Sequence, residues 1–407
     1  MKPSMGLTGS AIDNKLILHQ RPPLTRSVDV MPVISYLTTI RFEFGAIQGI
    51  PQDLAELGIA KPLIIADEGV AKAGIVGQIT ALLEGSASPP VFTRTPTNPT
   101  EEAVEDALAV YREHGCDGLI AVGGGSPIDL AKGVALLAAH DGPLERYAAI
   151  RGGIPRITAA VAPVIAVPTT AGTGSEVGRA SLITLRDGRK LGFISPHLIP
   201  KRAVCDPELT LGLPRWLTAA TGMDAVTHCV ETYLSPRDNP PAEAIALDGL
   251  KRAVDNIEKA AANGSDRDAR HQMMMAALEG GLTFQKGLGA VHALSHPLGG
   301  LKDLSLHHGT LNAVILPVTL RFNQSHAEAK YAVIRATLGL AADADLADYF
   351  ERLSGRLGLP KNLAEMGVTR AIVPAIARAA IEDHSHATNA RPATVEDYER
   401  MLTEAIG

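Results

Sequence analysis

Cysteine is scarce in this chain: three residues in 407, namely Cys116, Cys205 and Cys229, widely separated and with no CxxC pair. That excludes a disulfide framework and argues against a cysteine-based zinc site. Also missing is any uninterrupted apolar run long enough to span a bilayer. The first stretch, MKPSMGLTGSAIDNKLILHQRPPLTRSVDVMPV, holds no long apolar core of the signal-peptide kind. There is no excess of base either. Lys and Arg number 38 against 44 Asp and Glu, a formal net charge of −6, which disfavours electrostatic binding of nucleic acid. No internal repeat or low-complexity tract stands out. The expectation is a cytoplasmic, enzyme-sized protein with neither a membrane nor a nucleic-acid partner.

What is present is the composition of a well-packed globular protein, 46% hydrophobic and 20% charged. The length exceeds what one core usually supports, so two domains are expected. Residues 1–35, with RPPLTR inside them, read as an extension added to the fold. FEFGA then reads as a short strand and turn. KPLIIAD (61–67), the start of PPVFTRTPTNPT, DGLIAV (117–122) and PVIAVPTT (163–170) read as strands. Helical patterns at 71–83, 101–114 and 127–139 lie between them, so βα units and a mostly parallel sheet are expected. After DPELTLGLP (206–214) the strands largely disappear. Helices are expected at 216–234, 241–262, 270–286, 289–298, 309–323, 328–338, 346–357 and 371–382, with a last one starting near Thr394. The predicted organisation is an α/β domain over 36–210 and an all-α domain over 211–407, with a cleft between them.

Two loops and one set of polar residues carry chemistry. In VGGGSPIDLAKG (122–133) a strand runs into three glycines and Ser126, with Pro127 suited to a first helical turn. Free N–H groups at such a helix start favour a phosphate, although the pattern is not GxGxxG and a plain tight turn is the alternative. A second polar loop, VPTTAGTGSEVGRAS (167–181), also follows a strand, where α/β sheets place ligands. Asp67, at another strand end, suits either a ribose hydroxyl or a helix cap. Asp224 and His228 are four residues apart and share a helix face; His292 and His296 repeat that spacing, and His307 and His308 follow. Three histidines and one carboxylate make a set for a first-row divalent metal. Each histidine taken singly also fits a packed core, and spacing alone does not select four.

Five ordered motifs resemble the iron-containing, group III alcohol dehydrogenases: GGGSPIDLAK, PTTAGTGSE, LTAATGMDAVTHCVE, GAVHALSHPLGG and HHGTLNAVILP. The resemblance covers Phe42 to the C-terminus. It implies a dinucleotide-binding α/β domain followed by a helical catalytic domain. The implied metal ligands are Asp224, His228, His292 and His308, with Fe(II) as the metal and Zn(II) as the alternative. His296 would serve in proton relay or substrate contact. Gly123, Gly124, Gly125 and Ser126 would hold the pyrophosphate, and Asp67 matches the acid that favours NAD. Asn98 falls in an NPT-like cofactor loop, Thr169, Thr170 and Thr173 in a second one, and Lys190 near the dinucleotide. The segment PLGGLKDLSLHHG is longer than in familiar members and offers two histidines; alignment to HGxxNA favours His308 and leaves His307 beside it.

The implied activity is NAD-dependent, metal-dependent interconversion of an alcohol and an aldehyde or ketone. The partner is then a small-molecule alcohol or carbonyl substrate, and the assembly a homo-oligomer, commonly a dimer. Two enzyme alternatives stand close. One is a hydroxyacid dehydrogenase of the 4-hydroxybutyrate kind, with Arg179, Arg189 and Lys302 as candidate carboxylate binders. The other is a maleylacetate-reductase-like enzyme. A polyol dehydrogenase lacks a distinctive motif. A dinucleotide-binding structural protein would bind NAD without metal-dependent turnover.

Overall fold

Short aliphatic runs flanked by breakers form the strands, and their alternation builds a sheet with two covered faces. The structure, a computed structural model, describes residues 38–83, 88–301 and 303–407. The extension at 1–35 and Lys302 lie outside these. The strands are β1 Thr39–Phe42, β2 Pro62–Ile65, β3 Val91–Phe92, β4 Gly118–Gly123, β5 Val164–Pro168, β6 Ala180–Thr184, β7 Lys190–Ile194 and β8 Arg202–Cys205. Six of them form one sheet in the order β1-β8-β5-β4-β2-β3, every pair parallel, and β6 and β7 form a separate antiparallel hairpin.

Helices α1 Ile50–Leu57, α2 Glu68–Lys72, α3 Ile75–Ala81, α4 Glu101–Glu113 and α5 Gly125–Ala139 alternate with these strands. Successive strand residues point to opposite faces. Leu63, Ile65, Leu119 and Ala121 pack with Val104 of α4 and Leu130 and Val134 of α5. Their neighbours Ile64, Ile120 and Ile165 pack on the other side with Ile50 and Leu54 of α1 and Ile79 of α3. Every residue of β2, β4 and β5 is buried.

The remaining helices are α6 Arg215–Leu234, α7 Pro240–Ala262, α8 Arg267–Leu282, α9 Ala290–Gly299, α10 His308–Thr337, α11 Leu346–Leu357, α12 Val373–Glu382 and α13 Val395–Ile406. α6 is buried on all sides from Thr218 to Leu234, as expected of a helix in the middle of a helical body. The α/β part with a mostly parallel sheet, followed by an all-α part, is the expected fold class. The three cysteines are free and buried. No helix among the described residues is long and apolar enough to cross a membrane.

Some local expectations change. The strand in FEFGA lies earlier, at Thr39–Phe42, and Gly45 at φ 83 makes the turn after it. The helix expected at 71–83 is broken in two by Gly74, which sits at φ 80. The helices expected at 309–323 and 328–338 are one 30-residue helix, α10. Its polar stretch Gln324, Ser325 and His326 reads as a break but only faces solvent.

Candidate active site

Because α6 is buried throughout, its two polar residues on one face must be answered from other elements. Asp224 and His228 stand one turn apart, with His228 Nε2 3.5 Å from Asp224 Oδ1. α9 brings His292 Nε2 to 3.9 Å from the same oxygen, and the first residue of α10 brings His308 Nε2 to 3.8 Å. α10 can start this close only because residue 309 is glycine: a Cβ there would run into the Ala220 carbonyl of α6.

The outer nitrogens fix the tautomers. His228 Nδ1 lies 3.2 Å from the Gly172 carbonyl oxygen, which can only accept, so the proton is on Nδ1. His292 Nδ1 donates to Glu231 Oε2 at 2.5 Å. Both Nε2 lone pairs therefore face Asp224, the state in which imidazole ligates a metal. Burial lowers the His228 pKa to about 4 and that of His308 well below its usual value, which keeps both neutral. Burial also opposes charge on His292, but Glu231 together with Asp224 and Asp383 outweighs it and the net shift is upward. The only side-chain donor entering this ring of acceptors, among the described residues, is Asn312. Its Nδ2 is 2.6 Å from Asp224 Oδ1 and 3.2 Å from Nε2 of both His292 and His308. Asn312 Oδ1 and His308 Nδ1 are buried without a partner.

A buried carboxylate ringed by lone pairs is a poor arrangement for protein alone and a good one for a divalent cation. Asp224, His292 and His308 present ligand atoms all within 4.8 Å of one another, and His228 joins through Asp224. The residues present fit the metal that the motifs imply.

His296, one turn after His292, lies beside this cluster. Its Nδ1 is 2.8 Å from Asp383 Oδ2, and its ring stacks on His308 and on His384 with centroids 5.5 and 5.4 Å away. Burial works against the Asp383 charge. The neighbouring His296 and His384, with the Ser385 N–H, nonetheless hold its pKa below the ordinary carboxylate range. Burial lowers the His296 pKa to about 4.

At the other end of the same space is the glycine turn. α5 begins at Gly125, two residues before the expected Pro127, with Gly124 as an N-cap that has no capping side chain. Its first N–H groups are thus left for a ligand. Gly123 has φ 147, and a Cβ there would meet the Pro127 ring at 2.6 Å. The second polar loop lies over the turn, Thr170 opposite Gly124 and Thr173 opposite Gly125. Thr170 Oγ1 is buried without a partner. Lys132 of α5 ties the loop down, reaching Ser175 O at 2.7 Å, Ser175 Oγ at 2.8 Å, Gly178 O at 3.0 Å and Ala180 O at 2.8 Å. Ser126 Oγ donates to the Thr97 carbonyl, and Lys190 Nζ donates to Asn98 Oδ1 at 3.0 Å.

A cavity of about 990 Å³ connects these parts, lined among others by Asp67, Asn98, Gly124, Gly125, Ser126, Thr170, Thr173, Lys190, Asp224, His228, His292, His296 and His308. Gly123 and Thr169 lie behind this lining, joined to each other by a Thr169 N–H to Gly123 O bond of 3.0 Å. Asp67 caps α2, accepting the Val70 N–H at 2.9 Å, and still faces the cavity. His307 faces the cavity edge-on to Trp216, with centroids 5.6 Å apart. Arg189 is engaged elsewhere, at 2.7 Å from Asp187 and 2.8 Å from Glu145, which removes it as a carboxylate binder.

Four residues of this site were not singled out from the sequence. Glu231 sits two turns after Asp224 on α6, and Asn312 one turn after His308, so helical spacing pointed to both. Asp383 and His384 carry no local signal and reach His296 only through the fold.

An α/β nucleotide fold whose glycine turn opens into the same cavity as a buried aspartate–histidine metal cluster defines an NAD-linked, metal-dependent oxidoreductase. The family model described as "Iron-containing alcohol dehydrogenase" matches residues 38–207, and that described as "Fe-containing alcohol dehydrogenase family, C-terminal" matches residues 218–406. The chain belongs to the iron-containing alcohol dehydrogenase family. It is similar to a 4-hydroxybutyrate dehydrogenase of Cupriavidus necator, 53% identical over 383 residues that cover 92% of this chain and all (100%) of the relative. It is 38% identical to a 1,3-propanediol dehydrogenase of Citrobacter freundii over 86% of this chain and 92% of the relative. A solved 1,3-propanediol oxidoreductase superposes with a TM-score of 0.86 at 36% identity, covering 92% of this chain and 100% of that one. The activity is NAD-dependent interconversion of an alcohol and a carbonyl compound by hydride transfer.

Proposed function

We propose that this enzyme interconverts a short ω-hydroxy acid and its aldehyde, with Asp224, His228, His292 and His308 holding the metal and His296 moving the proton. The observation that carries the site assignment is the convergence of three imidazole Nε2 atoms on one Asp224 oxygen at 3.5–3.9 Å. The similarity to a 4-hydroxybutyrate dehydrogenase supports the substrate class. The intact ligand set argues against the maleylacetate-reductase-like reading and against a purely structural protein.

A divalent cation bound in the cluster supplies Lewis acidity toward the substrate hydroxyl, and NAD supplies the hydride acceptor. The protein does the rest. Glu231 and the Gly172 carbonyl hold two imidazoles in the ligating tautomer. His296 donates Nδ1–H to Asp383, which leaves Nε2 to accept the substrate proton while Asp383 stabilises the resulting imidazolium. His384, nearer solvent, stacked on His296 and 3.7 Å from the other Asp383 oxygen, offers the way out. Gly124, Gly125 and Ser126, with Thr170 and Thr173, receive the pyrophosphate at the start of α5. Gly123 and Thr169 hold the shape of that turn from behind. The Asp67 oxygen not used in capping meets the ribose hydroxyls, and the Lys190–Asn98 pair borders the nicotinamide end.

Residues 36–210 serve as the nucleotide half and 211–407 as the metal half, a division supported by the two matched family segments and by the change from strands to helices after Cys205. Cytoplasmic location and a homo-oligomeric state extend the family resemblance; light scattering checks the latter. The function is tested by NADH formation from 4-hydroxybutyrate, 1,4-butanediol and 1-butanol, using protein loaded with Fe(II) or Zn(II). Turnover of none of them refutes the reading, and higher activity with Zn(II) alone overturns iron. His296→Ala is expected to lower turnover far more than metal content; an unchanged pH–rate profile at near-normal turnover removes His296 from the role.

A further inference from the structure

Four cationic side chains line the cavity among the described residues: Arg94, Arg179, Lys190 and Arg237. Two are engaged, Arg94 with Asp106 at 3.6 Å and Lys190 with Asn98 at 3.0 Å. Arg179 and Arg237 are not: among the described residues neither guanidinium forms an ion pair or a hydrogen bond. Arg179 is half-buried at the end of the second polar loop, one residue before β6, and Arg237 stands in the turn between α6 and α7.

The segment next to each leads to the metal end. Gly178, next to Arg179, lies against Phe284, to whose ring a Cβ there would approach at 3.3 Å. Phe284 in turn meets the His228 ring edge-on at 4.8 Å. Two residues before Arg237, the Ser235 hydroxyl donates to the Lys286 carbonyl at 2.6 Å, which anchors that turn to the segment following Phe284. The segments that carry the two arginines thus meet one aromatic wall of the cavity from different elements, with Arg179 half-buried, Arg237 exposed, and the two side chains near enough to repel. The pyrophosphate turn at the start of α5 lies with Thr170 and Thr173 instead.

Like charges are not gathered around a concave surface without cost. Burial, and then the proximity of Arg237, lower the Arg179 pKa, and no acid raises it in return. An anion between the guanidiniums relieves both effects, and a carboxylate matches their planar donor geometry.

We propose that Arg179 and Arg237 form the carboxylate subsite of the active site, gripping the acid end of an ω-hydroxy acid while its hydroxyl reaches the metal cluster. This rests on the ω-hydroxy-acid reading above and names the residues that select it. The same cationic chemistry suits a phosphate of the dinucleotide, so the test separates the two.

Arg179→Gln, Arg237→Gln and Arg179→Lys are compared with the parent using 4-hydroxybutyrate, the uncharged 1,4-butanediol, and NAD. Butyrate is the non-reacting probe, read by competition and by the fluorescence of Trp216, the one tryptophan, which lines the cavity. The expected result is a fall of about tenfold or more in preference for the acid over the diol in each Gln variant. Butyrate binding weakens to match, Arg179→Lys recovers part of the loss, and the KM for NAD holds. A rise in the KM for NAD with preference unchanged assigns the pair to the dinucleotide and overturns the proposal, as does a preference that does not move. A parent enzyme that oxidises the diol but not the acid also overturns it while leaving the dehydrogenase intact. A parent that oxidises neither removes the functional reading; arginine-dependent butyrate binding then still sustains the subsite.

Discussion

Exchanging Glu231 for glutamine probes how far metal binding depends on one buried carboxylate. Glu231 is 4% exposed; Oε1 accepts the Val291 N–H at 2.7 Å and Oε2 accepts His292 Nδ1–H at 2.5 Å. A glutamine can keep only one of these bonds. If its oxygen stays with Val291, its amide donors face His292 Nδ1, and the imidazole must move its proton to Nε2. The lone pair aimed at Asp224 is then lost. If the amide turns the other way, the Val291 N–H is left buried and unpaired. Either way the negative charge that makes His292 a stronger base is gone. Loss of such an outer partner costs about 10- to 100-fold in metal affinity, or about 1.4–2.7 kcal/mol. Competition between the metal-free protein and a chromophoric chelator for Zn(II) or Co(II) measures it directly. Melting of the metal-free proteins separates this from folding. A variant that binds metal as tightly as the parent, with an unchanged fold, would refute the view that Glu231 sets the tautomer.

Lys132→Met removes the ammonium that holds three carbonyls and a hydroxyl of the second polar loop. We expect about 3 kcal/mol or more of lost stability and weaker NAD binding. Urea unfolding and an NAD titration check it, and near-parent values in both defeat the idea that Lys132 positions the loop. Glu279, pressed by burial and then by Asp248, has its pKa raised from 4.5 to about 8 and is protonated in the fold. Its folded pKa exceeds the unfolded one, so its stabilising effect is full below the unfolded value and is lost as pH rises through the folded one. Parent melting temperatures should therefore fall relative to those of Glu279→Gln between about pH 5 and 8; parallel curves across that range speak against the raised Glu279 pKa.

Much of the architecture was readable before any coordinates. β2, β4 and β5 are buried on both faces, so continuous apolar runs with breakers at each end marked them plainly. The break expected inside α10 shows the opposite case, since a polar stretch on a long helix looks like a loop when nothing tells which side meets water. The β6–β7 hairpin and β8 went unread because their runs are short and carry charged or polar residues at their ends. For the site, helical spacing paired Asp224 with His228 and His292 with His296, and the family motifs chose His308 over His307.

The change from alternating strands and helices to helices alone, the glycine turn and the candidate ligands follow from the sequence alone, because periodicity, spacing and motifs are local properties of the chain. The tertiary structure decided the rest, because contacts between distant segments depend on packing that no local pattern encodes. It brought α10 against α6 through Gly309, packed α9 on α10, and set Glu231, Asn312 and Asp383 around the histidines. It also separated two arginines that look alike in sequence. Arg189 lies among surface acids, and Arg179 faces the cavity with its charge unanswered.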